Sequence, residues 1–346
     1  MSPALLAYAL RRLLLMIPTF VAINFIGFAI MRLAPGDPVE LALSGGLMSG
    51  QTGISTQKMA DAEKVKAALR HELGLDRPLV VQYASWLGGF ATGELGQSLK
   101  DRAPVWDKIR DRLPITVGID LAALFITYLL AVPLGIYSAV RPGTRLDQFL
   151  TVSLFALYSV PGFWIAVLLI VFFCGGDYFA WFPPAGLHSV AFSPEWPFWQ
   201  RVGDLMNHLA LPLFVTTLGS YTELSRYLRS SMLDNARQDY VRTARAKGVP
   251  ERSVILKHML RNSLIPMVTI VAGVLPGLIG GSVLIEQIFS IPGLGQLGYQ
   301  AVLARDYPVV LALFGASVGL TLIGLLIADL LLAVVDPRIT FTRTTA

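Results

Sequence analysis

The chain is poor in cysteine, in charge and in histidine. Cys174 is its one cysteine, which excludes a disulfide framework within the chain and argues against a Cys-rich metal site. Only 15% of the 346 residues are charged, against roughly 25% in soluble domains. The four histidines, His71, His188, His208 and His258, are scattered without metal-ligand spacing. No Gly-x-x-x-x-Gly-Lys-Ser/Thr loop occurs, so the sequence has no recognisable ATP-binding P-loop. These absences predict a chain that is not an enzyme and binds no cofactor of its own.

What is present is apolar. Hydrophobic residues make up 54% of the sequence, and the mean hydropathy is +0.60. Runs of spanning length predict an all-α polytopic membrane protein with six transmembrane helices. The first is Leu13 to Met31, nineteen uncharged residues after Arg11 and Arg12, enough to cross about 30 Å of hydrocarbon. A cleaved signal has a shorter core and a small-residue cleavage site; "RLAPGDP" offers no clean site, so an uncleaved span is expected. Five more follow: about Leu113 to Val140, Gln148 to Phe173, Asn207 to Tyr221, Leu264 to Ile285 and Val309 to Val335.

Orientation follows from Lys and Arg. With a cytoplasmic N-terminus, the inside segments are residues 1–12, the link "RPGTRLD", the stretch Glu223 to Arg261 and the tail from Asp336, with 15 Lys/Arg in all. The two short outside segments, Gly175 to Met206 and Glu286 to Pro308, carry only Arg201 and Arg305. This asymmetry predicts both termini on the cytoplasmic side. The net charge of +5 is explained by the same bias and by contact with membrane lipid, so no nucleic-acid partner is expected. The division expected is 1–31 for the N-terminal region and first span, 32–112 for an extracytoplasmic loop or small cap, 113–335 for the transmembrane core, and 336–346 for a cytoplasmic tail.

Within 32–112, alternating charges around Ala67, Ala68 and Leu69 predict a short surface helix ending near Gly74. Trp86, Phe90, Leu95 and Trp106 are its expected apolar anchors. The segment 175–206 is crowded with Trp, Phe, Tyr and Pro, the composition of an interfacial lid. Asp120 and Asp329 are carboxylates within spans, which makes them candidates for a polar pathway or a structural polar contact. Neither has an obvious basic partner within a span. In "GVLPGLIGGSVLIEQ", Gly277, Gly280 and Gly281 are expected to allow close helix packing.

The most unusual stretch is the charged segment 223–262. No Gly or Pro interrupts it from Tyr221 to Lys247, which predicts continuous helix. Gly248 and Pro250 then stop the pattern. A second amphipathic run follows, with Val254, Ile255, Met259 and Leu260 on one broadly apolar side. Lipid headgroups could attract its basic residues. A helix–break–helix layout equally suits docking to a soluble partner, which a membrane protein without an ATP site requires if ATP drives it.

This segment resembles the cytoplasmic loop of permease subunits in bacterial ABC importers, which share a loose Glu-Ala-Ala, three residues, Gly pattern. Gly248 takes the glycine place. Arg242, Thr243 and Ala244 take the first three, and two of these depart from the pattern. The dipeptide/oligopeptide branch often has "YVRTARAKG", intact here from Tyr240 to Gly248. Other stretches agree in order, among them "RRLLLMIPTF", "RLAPGDPVE", "GELGQSL", "RNSLIP" and "SVLIEQIFSIPGLGQLGYQAVLARDYP". Within the branch, "VFFCGGDYFAWFPPAGLHS" looks most like permeases of importers for oligopeptides and microcin C.

The resemblance implies a type I ABC importer permease fold in the bacterial inner membrane. It implies a second permease subunit as heterodimer partner, two ATPase subunits that hold ATP and Mg, and an extracytoplasmic peptide-binding protein. The short helix around Thr243 to Arg252 resembles the element that couples to the ATPase. Tyr240, Arg242, Thr243, Ala244, Arg245, Ala246, Lys247, Gly248 and Pro250 are its candidate residues. Oligopeptides are the cargo the resemblance implies; related branches carry dipeptides, nickel chelates or glycosyl compounds. An ion-coupled secondary transporter would want inverted repeats, and none is evident.

Overall fold

The computed structural model describes residues 3–33, 70, 74, 76–176, 178–264, 267 and 281–335. It is all-α: among the described residues the one β feature is an isolated bridge between Gln97 and Pro104. The helices are α1 (Pro3–Leu33), α2 (Leu79–Thr92), α3 (Val105–Val140), α4 (Arg145–Tyr158), α5 (Gly162–Phe173), α6 (Phe198–Ala236) and α7 (Asp239–Ala246). A continuous helical run follows as α8 (Glu251–Ser253), a π-helical stretch (Val254–Leu260) and α9 (Arg261–Ser263). The last are α10 (Val283–Ile288), α11 (Leu294–Leu303) and α12 (Tyr307–Val335).

Among the described residues, α1, α3 and α12 are each long and apolar enough to cross a membrane. The expected third span is not one straight helix. It breaks at Ser159–Pro161 into α4 and α5, bent by 93°. Pro161 disfavours helical backbone at Val160 and opens α5 as its N-cap. At 1.5 Å per residue the halves reach only about 21 and 18 Å, short of a 30 Å core. Counting the pair as one span gives four. The expected fourth span lies inside α6, which runs 39 residues through Pro212 without a break. Its sequence is too polar to stand with the other three. The expected fifth span falls mostly outside the described residues, as does the tail 336–346, so the structure does not reproduce a count of six.

The centre is the α3–α6 pair. Gly135 lets them close: a Cβ there would lie 2.9 Å from Leu228 Cβ and 3.0 Å from the Ser225 carbonyl oxygen. Lipid tails are as apolar as Leu, so helix association in a membrane rests on such close contact rather than on escape from water. At one end, Ile119 and Ala123 of α3 meet Leu209, Leu213 and Val215 of α6, with Ala166 of α5 and Phe289. At the other, Ala131 and Ala139 meet Leu224, Leu228 and Met232, joined by Val241, Ala244, Val254 and Met259. The charged segment is therefore part of the same core.

α1 packs on α12 and α2. Phe28, Tyr83, Tyr307 and Leu311 form its buried cluster, and the Tyr83 hydroxyl donates to the Val21 carbonyl at 2.7 Å. The helix expected near Ala67 lies outside the described residues, whereas α2 is a helix the charge pattern did not suggest. Trp86 and Phe90 anchor it, 5.4 Å apart and with Phe90 5.8 Å from Phe20. Leu95 joins the cluster around Val105 and Leu294. Trp106 does not anchor: it is 53% exposed. α3 starts at Val105, ahead of the span start expected at Leu113.

Candidate functional site

The charged segment folds differently from its sequence pattern. Continuous helix was expected through Lys247. Instead α6 stops at Ala236, Gln238 is extended (φ −74°, ψ 149°), and α7 restarts at Asp239. No Gly or Pro causes this. Asn235 holds the corner: its amide donates to the Ser231 carbonyl at 2.9 Å and to Ser263 Oγ at 3.0 Å. Its oxygen accepts the Tyr240 hydroxyl. One side chain thus ties α6, α7 and α9. The turn also lets Val241 and Ala244, three apart on α7, bury against Leu228 and Met232. Asp239 in the first turn and Arg245 in the last suit the helix dipole.

The end of α7 is a Schellman cap. The Gly248 N–H donates to the Arg245 carbonyl at 3.0 Å, and the Val249 N–H to the Ala244 carbonyl at 3.2 Å. Gly248 occupies the left-handed region at φ +75°, with nothing within 4 Å of where a Cβ would stand. The glycine is needed for backbone shape, not for space. Pro250 is the N-cap of α8. The helix expected over Thr243 to Arg252 therefore straddles a break; the compact element is α7.

Arg245 bridges that break. Its Nε donates to Glu251 Oε2 at 3.2 Å and its Nη2 to Oε1 at 2.6 Å. This fork holds the Glu251 carboxyl below its ordinary range and lifts the Arg245 guanidinium above its own. A carboxylate lowered by its partner stays charged at neutral pH, so the staple is lost only as pH falls through that lowered value. Both groups face solvent, so its part is geometric more than energetic. Arg242 is 73% exposed and lies 3.9 Å from Asp239. Tyr240, Thr243, Ala246 and Lys247 are exposed as well. The structure thus gathers the candidate residues into one knob, with Ala244 facing inward. In the following run the wide π-helical stretch brings Val254 and Met259, five apart, to the same buried side.

The intramembrane carboxylates separate. Asp329 has a partner, contrary to expectation: Arg12, inside α1, reaches it at 3.1 Å and also donates to the Tyr8 hydroxyl at 3.1 Å. Arg12 precedes the apolar run, and only packing of α1 on α12 reveals the pair. Asp120 is half-buried on α3, and its Oδ2 has no hydrogen-bond partner among the described residues.

Sequence reasoning missed Glu286. This residue is 4% exposed and accepts from Thr116 Oγ1 at 3.1 Å and from the Gln296 N–H at 2.7 Å. Thr116 in turn accepts from the Leu294 N–H at 2.8 Å. Gly281, Gly293 and Gly295 surround the carboxylate; a Cβ on Gly293 would fall 2.4 Å from Glu286 Cδ. Gly281, expected to serve helix packing, belongs to this cradle. Asp306 accepts the Ser98 hydroxyl and the Leu99 N–H, the latter at 2.9 Å. This contact joins "GELGQSL" to "ARDYP". In the segment 175–206, Asp204 accepts the Ser189 N–H at 3.1 Å and contacts His188 Nδ1 at 3.0 Å. Among the described residues no group of His, Cys, Asp and Glu could hold a metal ion.

The site is a charged knob packed on a bundle in which three helices are long and apolar enough to cross a membrane. Residues 131–341 match the family described as binding-protein-dependent transport system inner membrane component. Residues 5–120 match the N-terminal part of such membrane components. The chain belongs to this family, whose fold is that of type I ABC permeases. It is 38% identical over 336 residues to the oligopeptide transport system permease protein AppB of Bacillus subtilis (strain 168), covering 97% of this chain and 99% of that protein. It is 38% identical over 366 residues to the inner membrane ABC transporter permease protein YejB of Escherichia coli O157:H7, with the same coverage. The dipeptide transport system permease protein DppB of Escherichia coli (strain K12) is 36% identical over 352 residues, again 97% and 99% covered.

Proposed function

We propose that this chain is the membrane subunit of an ATP-driven importer that carries oligopeptides, microcin C-like peptides among them, across the bacterial cytoplasmic membrane. In this proposal α7 is its docking element for a separate ATPase. The observation that carries it is the two-sidedness of α7. Val241 and Ala244 are buried in the core cluster, while Arg242, Thr243, Lys247 and the stapled Arg245 face solvent. A helix held this way passes a push to α6 rather than absorbing it.

ATP and Mg belong to two ATPase subunits, and this chain binds no cofactor. A second permease subunit completes the pathway as a heterodimer, a peptide-binding protein delivers cargo outside, and lipid surrounds the helices. The N-terminus, α7 and the C-terminus lie on the cytoplasmic side. A dipeptide cargo is the second reading, favoured by the similarity to a dipeptide permease. Nickel chelates and glycosyl compounds fit the same architecture without a specific observation for them.

The test uses the reconstituted complex with Gly248→Val and Arg245→Ala. Retention of the ATPase subunits or ATP-dependent peptide uptake is expected to fall at least tenfold. Normal retention, hydrolysis and uptake in both variants would sink the docking role. Binding of a peptide library to the cognate binding protein separates the two cargo readings.

A further inference from the structure

Asp147 is buried at the N-terminal end of α4, its side chain 3% exposed. It accepts the Gly143 N–H at 3.0 Å and the Arg229 Nη2 at 3.2 Å. Arg226 Nη1 stands 4.0 Å from its Oδ1 and donates to Thr151 Oγ1, one turn along α4, at 2.7 Å. Two arginines of α6 thus grip two positions of α4. They lie on a different face of α6 from Leu228 and Met232, which receive α7. The same two turns of α6 therefore carry α7 on one side and α4 on another.

The grip is incomplete. Asp147 Oδ1 and the Nε of both Arg226 and Arg229 have no hydrogen-bond partner among the described residues. The two arginines hold the carboxylate unequally, Arg229 at 3.2 Å and Arg226 at 4.0 Å. A slide of α6 along α4 would bring Arg226 from 4.0 Å into hydrogen-bond range of Oδ1. A second arrangement of this contact would make it a bistable element.

Resting on the docking role of α7, we propose that Asp147, gripped by Arg226 and Arg229, is the positioning group that passes displacement of α6 to the bent α4–α5 pair. ATP hydrolysis reaches the transport path through it. Asp147 touches neither ATPase nor cargo in this scheme.

The experiment compares Asp147→Asn, Asp147→Glu, Arg229→Met and Arg229→Lys in the full complex in liposomes. Three readouts are ATPase-subunit retention, ATP hydrolysis, and ATP-driven uptake of a labelled mixture of di- to hexaalanine. A fourth, independent of cargo, is the ATP-dependent mobility change of a nitroxide placed at the exposed Val152 of α4. Asp147→Asn and Arg229→Met are expected to keep retention and hydrolysis while losing the mobility change and, wherever the parent complex takes up these peptides, at least tenfold of uptake per ATP. The charge-keeping variants recover part of both. An unchanged mobility response in Asp147→Asn overturns the proposal. So does parallel loss of retention, hydrolysis and uptake in all four, which would mark a structural clamp only. Normal retention, hydrolysis and uptake together in the Gly248 and Arg245 variants would instead count against the docking role itself.

Discussion

At the residue scale, the sites that matter are polar groups with few ways to be satisfied. Glu286 is the plainest case. Its carboxylate accepts from a hydroxyl and a backbone N–H inside a shell of three glycines. Removing a partner from a buried donor costs about 1–3 kcal/mol. Glu286→Ala strands the Thr116 hydroxyl and the Gln296 N–H and leaves a void, so its thermal midpoint in detergent should fall by several degrees. Glu286→Gln keeps the volume and one acceptor and should fall less. Equal midpoints for Glu286→Ala and the parent protein would remove Glu286 from the folding core. Gly248 differs in kind. It answers to a left-handed backbone at φ +75°, which costs a residue with a Cβ roughly 1–2 kcal/mol. Its place in a stop signal was legible in the sequence; the carboxylate cradle was not, because Thr116 lies 170 residues away along the chain and the nearer Gly281, Gly293, Gly295 and Gln296 meet the carboxylate only through the fold of the backbone around it.

At the element scale, the structure departs from the apolar and helical pattern in two places, once through packing and once through a local breaker. The stretch after Tyr221 has no helix breaker, yet Asn235 and burial of Val241 and Ala244 turn the chain between Ala236 and Asp239. The apolar run 148–173 looks like one span, yet Pro161 bends it by 93°. The α3–α6 contact is where packing has least slack. Gly135→Leu places a branched side chain where a Cβ alone would meet Leu228 at 2.9 Å. Overpacking of this kind costs about 1–3 kcal/mol. Because Leu228 also receives α7, the variant should expose Lys247 to faster tryptic cleavage, read by gel. A parent-like cleavage rate would mean that α3 and α6 accommodate the side chain without moving α7.

At the scale of the whole molecule, one long helix links two distant segments. α6 is 39 residues, about 58 Å at 1.5 Å per residue, and links the aromatic segment 178–199 to α7. Orientation can be tested without transport. A single cysteine in place of Arg141, in a protein whose Cys174 is replaced by Ala, should react with an impermeant maleimide only in inside-out vesicles. A single cysteine at the exposed Val190 should react only in right-side-out ones. The reverse pattern would invert the topology argued from Lys and Arg.

The sequence by itself determined that this is an apolar, multi-helix membrane protein with a charged segment expected on one side. It also held the family landmarks, because composition, span length and short motifs are local properties of the chain. Only the tertiary structure decided that α6 stops at Ala236 and α7 restarts at Asp239, where Asn235 meets Ser263. The same holds for the Arg12–Asp329 pair and the grip of Asp147 by two arginines of α6. Each depends on which helices pack together, and in lipid that choice is made by close contact and polar pairing between elements distant in sequence.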